Sequence, residues 1–412
     1  MTVELELIFF NRAHVTGSEF GYMQEAIRNG HLASSGPFSK RCAEWLTERM
    51  GSRKALLTHS CTGALEMAFT LADICPGDEV IMPSFTFVTT ANAVVGRGGR
   101  PVFVDIHPDT LCIDERQIES AIGPRTKAIV PVHYAGVGCE MGAISELAAA
   151  HDLLIIEDAA HGIGATVGGR PLGAIGHLGT YSFHETKNVS CGEGGALLVN
   201  DERFLERAEI VHEKGTDRTR FLRGQVDKYT WVDVGSSYAL SELAAAYLWA
   251  QLEHESETTA KRLGIWNRYH SAFVELEADG LLRRPVVPSD RRHNAHLYYL
   301  LLDDLPTRTA FIEWLGSRGV HAVFHYVPLH TSSAGQRYAL AHGDLPVTTD
   351  VSERLVRLPL WADMTDSQID RVIEAVSSFL RALRRPKTPK PIDVPSPRTI
   401  VDPPEASSNL LR

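Results

Sequence analysis

The sequence predicts an α/β fold built on a mainly parallel sheet with helices on both faces. Short apolar runs recur at 54–58, 79–83, 101–106, 127–134 and 152–158, separated by helix-length segments, which is the alternation expected of parallel strands. The run Leu153-Leu154-Ile155-Ile156 is apolar without alternation, as in a strand buried on both faces. Two more strand candidates, 178–184 and 194–199, lie too close together for a crossover helix, so one of them is expected to run antiparallel.

In chain order, Thr16-Gly17-Ser18-Glu19 reads as a capping box that opens a helix through Tyr22, Met23 and Ile27. The seven strand candidates follow. An Ala- and Leu-rich helix at about 238–252 then leads to a smaller α+β unit with strand-like 296–302 and 322–327 and helices near 308–318 and 366–383. The expected division is a large domain at 1–250 and a small C-terminal domain at 251–384. Seven of the 21 prolines fall between positions 386 and 404, so 385–412 reads as an extended or disordered tail.

With 412 residues, 44% hydrophobic and 22% charged, the chain has room for two cores and is neither collagen-like nor disordered in composition. A net charge of -10 with dispersed basic residues argues against a nucleic-acid partner. An acidic substrate then needs a locally basic pocket, for which Arg218, Arg220, Arg223 and Lys228 form one candidate cluster; a solvated loop is the alternative. The six cysteines form no Cys-x-x-Cys pair and no close Cys/His ligand spacing, which points to a reducing compartment and no structural zinc. Glu4 and Glu6 stand where a signal peptide needs basic and then apolar residues, and no run reaches membrane-spanning length. The expected location is the cytoplasm, with no membrane partner.

The chemistry-bearing residues fall at strand ends. Lys187 follows the candidate strand 178–184 among small and polar residues, and Asp158 ends the buried run at 152–158. A lone lysine is most often a solvated surface group. Paired with a carboxylate at the carboxyl ends of adjacent or near-adjacent strands, where ligands of open α/β sheets sit, it becomes more specific. A lysine able to form a Schiff base and a carboxylate able to pair with a pyridinium nitrogen are the two groups pyridoxal phosphate requires. His59-Ser60-Cys61-Thr62-Gly63 turns from a strand into a helix, whose free amides and dipole suit a phosphate; an ordinary Ser/Thr helix cap is the competing reading. Phe87 follows another strand and is placed either to stack on a cofactor ring or to pack in the core.

Five motifs in order, Ser60-Cys61-Thr62-Gly63-Ala64-Leu65, Pro83-Ser84-Phe85-Thr86-Phe87, Pro131-Val132-His133-Tyr134, Glu157-Asp158-Ala159-Ala160-His161 and Ser182-Phe183-His184 running into Lys187-Asn188, resemble those of the DegT-type nucleotide-sugar aminotransferases. The likeness runs from about residue 8 to about residue 380. It implies fold type I of the pyridoxal-phosphate enzymes, with a mainly parallel seven-stranded sheet in the large domain and a smaller C-terminal α+β domain. It also implies that Lys187 carries the cofactor as a Schiff base and Asp158 pairs with its ring nitrogen. Phe87 would stack on the ring, Thr62, Gly63 and Ser182 would bind the phosphate, and His161 would lie beside the ring. Many relatives use an Asn to reach the phosphate in the neighbouring subunit; here Gly235-Ser236-Ser237-Tyr238 puts the shorter Ser237 at that place. The implied assembly is a homodimer with shared active sites.

The segments His184-Glu185-Thr186-Lys187-Asn188 and Gly224-Gln225-Val226-Asp227-Lys228-Tyr229-Thr230-Trp231 look most like the enzymes that aminate C4 of dTDP-4-keto-6-deoxyglucose, with L-glutamate as donor by the same resemblance. Candidate substrate contacts are Arg218, Arg223, Lys228, Tyr229 and His325. Face of amination at C4, giving the gluco or galacto product, stays open, as does use of a C3-keto sugar. A non-catalytic binding or sensor protein on this scaffold is expected to lose Asp158 or Lys187, and a sugar 3-dehydratase carries His in place of the lysine. The stretches Gly136–Gly142 and Gly162-Ile163-Gly164 echo dinucleotide fingerprints, but their spacing is off and no ribose-binding acid follows.

Overall fold

The computed structural model describes residues 6–383; the Pro-rich stretch 385–412 lies outside the described residues. The chain begins with two helices, α1 (Glu19–Arg28) and α2 (Pro37–Met50), and then enters the sheet at β1 (Lys54–Thr58). There follow α3 (Cys61–Leu71), β2 (Glu79–Pro83), α4 (Val88–Gly96), β3 (Arg100–Val104), β4 (Thr126–Ile129) and β5 (Leu154–Asp158). The short pair β6 (Thr166–Val167) and β7 (Arg170–Pro171) precedes β8 (Leu178–Ser182) and β9 (Gly195–Val199). The rest of the chain adds β10 (Arg291–Arg292), β11 (Tyr298–Leu301), β12 (Val323–Phe324), β13 (Leu340–Ala341) and β14 (Leu355–Leu358).

The main sheet has the order β1-β9-β8-β5-β4-β2-β3-β13. Strand β9 is antiparallel to both β8 and β1, while the other neighbouring pairs are parallel. No helix separates β8 from β9, so the chain turns straight back, as the short spacing requires. The expected seven strands are present, and an eighth, β13, joins the edge beside β3 from far along the chain. The predicted strand 127–134 ends at Ile129 because Pro131 offers no amide to a ladder and residues 134–136 form a tight turn with Ala135 at φ 59°. The capping box is half realised: Glu19 accepts from the Thr16 amide at 2.7 Å and the Gly17 amide at 2.8 Å, but the Thr16 hydroxyl donates to that same carboxylate instead of capping α1.

Strands β2, β8 and β9 are buried along their whole length, and β5 along nearly all of it, which is why their sequences lack alternation. A separate core forms between the sheet β11-β14-β12 and the helices Glu255–Ala272, Leu305–Ser317 and Asp366–Leu383. The last helix buries Ile369, Val372, Val376 and Leu380, one stripe at helical spacing. Each such fully buried aliphatic contributes roughly 1.5–3 kcal/mol. Ile8 belongs to this core as well and bridges to Val320, so the chain's beginning is tied to its C-terminal half. Among the described residues, no helix is long and apolar enough to cross a membrane.

Candidate active site

The carboxyl ends of β1, β2, β4, β5 and β8 all open onto one cleft of about 500 Å³. Each parallel strand delivers the residues just beyond its end: Ser60 and Thr62 after β1, Thr86 and Phe87 after β2, His133 after β4, His161 after β5, and Lys187 after β8. Asp158 and Ser182 are the last residues of β5 and β8 themselves. Strand β14 contributes Arg357 and Leu358 to the cleft wall, and the stretch after β12 contributes His325 and Tyr326.

Asp158 is 5% exposed and held at both oxygens. Its Oδ2 accepts from the Thr90 hydroxyl at 2.7 Å, and its Oδ1 accepts from the Ala160 amide at 3.1 Å. Thr86 stands behind Thr90, hydroxyl to hydroxyl at 3.1 Å. The carboxylate is therefore fixed in direction before any ligand arrives.

Lys187 sits in the turn between β8 and β9. Bonds from the Phe183 amide to the Gly194 carbonyl and from the Glu185 amide to the Gly192 carbonyl, each 2.8 Å, hold the base of that turn. Asn188 beside it is buried, donates to the Asn294 carbonyl at 2.8 Å and meets His296 Nδ1 at 3.1 Å, so the turn is fastened from both sides. Burial lowers the Lys187 ammonium to about 8, Arg357 adds to that, and Asp158 opposes it. The Cys61 thiol also faces this amine, but burial pushes it well up, so it stays neutral and Asp158 is the anion Lys187 meets.

Three histidines of the cleft, His161, His296 and His325, are held neutral. Burial holds His161, His296 and His325 well below the usual imidazole range, reinforced by the nearby cations Lys187 and Arg357. His161 Nδ1 accepts from the Ala135 amide at 3.3 Å, which places its remaining hydrogen on Nε2. Its ring stacks on His296 with centroids 4.0 Å apart, and His325 Nδ1 lies 3.1 Å from the Tyr134 hydroxyl.

Also on the cleft wall, the extended Ser60 caps α3, its Oγ accepting from the Gly63 amide at 3.1 Å. The cap and the anion site are compatible, since the hydroxyl hydrogen remains to donate. Gly63 is required by space: a Cβ there would come within 2.8 Å of His59 and 3.2 Å of Tyr238. Thr62 and Ser182 line the cleft beside this helix end, and Phe87, 56% exposed, presents its ring to the cleft.

Some expected residues lie elsewhere. Arg218 meets Glu213 at 3.7 Å and Arg223 meets Glu209 at 2.6 Å, so acids of the same chain answer these two cations outside the cleft. Arg220 is likewise paired with Glu206. Lys228, Tyr229 and Ser237 are exposed and do not line the cleft of their own chain. Conversely, the structure brings in Thr86, Thr90, His296, Tyr326 and Arg357, which the sequence reading passed over. Arg357 carried a signal, being a charged residue within the apolar strand Leu355-Val356-Arg357-Leu358.

The model of the DegT/DnrJ/EryC1/StrS aminotransferase family matches residues 14–377. The spore coat polysaccharide biosynthesis protein SpsC of Bacillus subtilis (strain 168) is 34% identical over 371 residues, which is 88% of this chain and 94% of SpsC. Among solved structures, the aminotransferase TlmJ from Streptoalloteichus hindustanus has a TM-score of 0.84 at 31% identity, covering 92% of this chain and 100% of TlmJ. NtdA from Bacillus subtilis, with bound cofactor PMP, has a TM-score of 0.80 at 29% identity over 88% of this chain and 81% of NtdA.

Proposed function

The chain belongs to the DegT/DnrJ/EryC1/StrS aminotransferase family, and we propose that it is the pyridoxal-phosphate enzyme that moves an amino group from L-glutamate to C4 of dTDP-4-keto-6-deoxyglucose. The observation that carries the catalytic part is the pairing of a lysine lowered to about 8 with a buried, doubly hydrogen-bonded Asp158 in one cleft. The residues fit the cofactor. Lys187 would carry it, Asp158 would face its ring nitrogen, Phe87 and His161 would flank its ring, and Thr62, Gly63 and Ser182 would take its phosphate at the N-terminus of α3. Bound there, pyridoxal phosphate supplies an electron sink for the carbon that bears the transferred amine.

The protein groups supply the rest. With its ammonium at about 8, Lys187 is neutral in about a tenth of molecules at pH 7 and can take a proton from the amine-bearing carbon of the donor. The same amine returns a proton to C4 of the acceptor sugar. Thr90 and Ala160 hold the Asp158 carboxylate in place on the cleft wall. The neutral histidines compete with Lys187 for neither proton nor anion.

The C4 position and the dTDP sugar are supported by the likeness of segments 184–188 and 224–231. The shared-site homodimer is supported by an exposed apolar row on the segment that leads to Ser237, where Trp231 is 78%, Leu222 64% and Val232 50% exposed. Incubation with dTDP-4-keto-6-deoxyglucose and L-glutamate, with the C4 proton couplings of the product read by NMR, tests the reading. A 4-amino sugar formed together with 2-oxoglutarate is expected. Amination confined to a 3-keto sugar overturns the position, and absence of any amino transfer overturns the activity.

A further inference from the structure

The tight turn at 133–136 touches two histidines of the cleft at once. Ala135 within it is left-handed at φ 59°, a conformation that a residue with a side chain adopts only under constraint, and its amide donates to His161 Nδ1 at 3.3 Å. Tyr134 beside it is fully buried, and its hydroxyl lies 3.1 Å from His325 Nδ1. The tyrosine ring is gripped by Phe85, Tyr299 and Tyr326, with centroids 5.1, 5.9 and 6.1 Å away. Behind the turn, His133 Nδ1 accepts from the Cys139 amide at 3.2 Å, and its Nε2 meets Glu157 at 2.8 Å. The Glu157 carboxylate also accepts from the Gly173, Ile175 and Gly176 amides at 2.8, 2.6 and 2.6 Å. Gly136 completes the turn at φ 78°, where a Cβ would come within 2.0 Å of Asn294 Oδ1. So constrained a turn holds the Tyr134 hydroxyl and the Ala135 amide in fixed directions.

The place of the hydrogen on each imidazole follows from its partner. A backbone amide only donates, so His161 keeps its own hydrogen on Nε2. Burial keeps the Tyr134 hydroxyl protonated, and His325 is its one hydrogen-bond partner among the described residues. Were His325 to donate from Nδ1, that buried hydroxyl hydrogen would go unpaired; the hydroxyl therefore donates, and His325 carries its hydrogen on Nε2. His325 lines the cleft, and its Nε2 has no partner among the described residues. We propose that Tyr134 is the positioning residue that fixes His325 as a hydrogen-bond donor to an oxygen of the keto sugar. The inference rests on the aminotransferase reading of the same cleft and adds to it the group that decides which edge of a neutral imidazole the sugar meets. An amino-acid donor brings charged groups, whereas a keto sugar brings neutral carbonyl and hydroxyl oxygens, the acceptors that an uncharged N–H pairs with. The other tautomer would turn a lone pair toward that oxygen.

The test uses the holoenzyme and Tyr134→Phe, which keeps the ring and its packing and removes the hydroxyl. Nitrogen NMR on protein made with isotope-labelled histidine reports which ring nitrogen carries the hydrogen, the His325 signals being those missing from His325→Gln. In the wild type His325 should be protonated on Nε2 alone, and in Tyr134→Phe both tautomers should appear. In single turnovers of Tyr134→Phe, the half-reaction with the keto sugar should need roughly 3- to 10-fold more sugar for half-maximal rate, as loss of one neutral hydrogen bond predicts. The half-reaction with L-glutamate should keep its own value. In a His325→Gln background, which has no Nδ1 to be set, Tyr134→Phe should have no further effect. A wild-type His325 protonated on Nδ1 overturns the proposal, and this spectrum decides it even if the variant does not fold. An unchanged keto-sugar half-reaction in Tyr134→Phe also overturns it, as does equal slowing of both half-reactions, which would make Tyr134 a packing residue. If the wild type shows the Nε2 hydrogen but transfers no amine in either half-reaction, the aminotransferase reading fails separately.

Discussion

The hydroxyl of Thr90 donates a 2.7 Å hydrogen bond to Oδ2 of Asp158, from the first turn of α4 to the end of β5. The start of a helix and the end of a strand are thereby locked around one carboxylate. Replacing this hydroxyl in Thr90→Val keeps the side-chain shape and removes a bond to a charged group, worth about 1.5–3 kcal/mol. The expected result is a fall in kcat/KM of roughly tenfold to a hundredfold, measured with saturating cofactor. Wild-type kinetics in this variant would show that Asp158 is held adequately without Thr90.

Asp158→Asn preserves shape and removes the charge. The step that releases the proton from the donor's amine-bearing carbon should slow far more than attachment of cofactor. Exchange of that proton into heavy water reads the step directly. Exchange at the wild-type rate would remove Asp158 from the proposed role.

The Lys187 ammonium at about 8, against an ordinary value of 10.5, makes a prediction about stability. Between those pH values the unfolded chain holds a proton that the folded chain lacks, so folding gains as pH rises from 8 toward 10.5. Below 8 both states are protonated and the contribution is level. Lys187→Met cannot titrate, so the stability of the cofactor-free wild type relative to this variant should rise across that window. Urea midpoints of both proteins at pH 7.5, 9 and 10 check this, and a constant difference contradicts the lowered value.

Much of this architecture was legible because buried strands announce themselves. Leu153 to Ile156 needed no partner to be read as the strand that ends in Asp158. What could not be read was contact between residues distant in sequence. Thr90 and Asp158 are 68 positions apart, and nothing local says that α4 points its hydroxyl at β5. Arg218 and Arg223 show the converse: their clustering is local and legible, but their pairing with Glu213 and Glu209 is not. The two-residue strand β13 was invisible because so short a strand has no period of its own.

Ser237 is exposed and does not line the cleft of its own chain, as expected if it serves a neighbour's. The protein should then be an obligate homodimer, and Ser237→Ala should weaken cofactor affinity about tenfold to a hundredfold. Mixing inactive Lys187→Ala subunits with Ser237→Ala subunits should yield heterodimers in which one site carries both defects and one carries neither. Cofactor titration after verified subunit exchange should reveal a site of wild-type affinity and activity. If none appears, the sites are not shared.

The central claim is that Lys187 is the residue that carries the cofactor. Reduction of the cofactor-loaded protein with borohydride, followed by proteolysis and mass mapping, fixes the cofactor to whichever lysine holds it. The account predicts a single label on the peptide containing Lys187, abolished in Lys187→Ala. A label on any other lysine, or none in a protein that transfers amine, would contradict it.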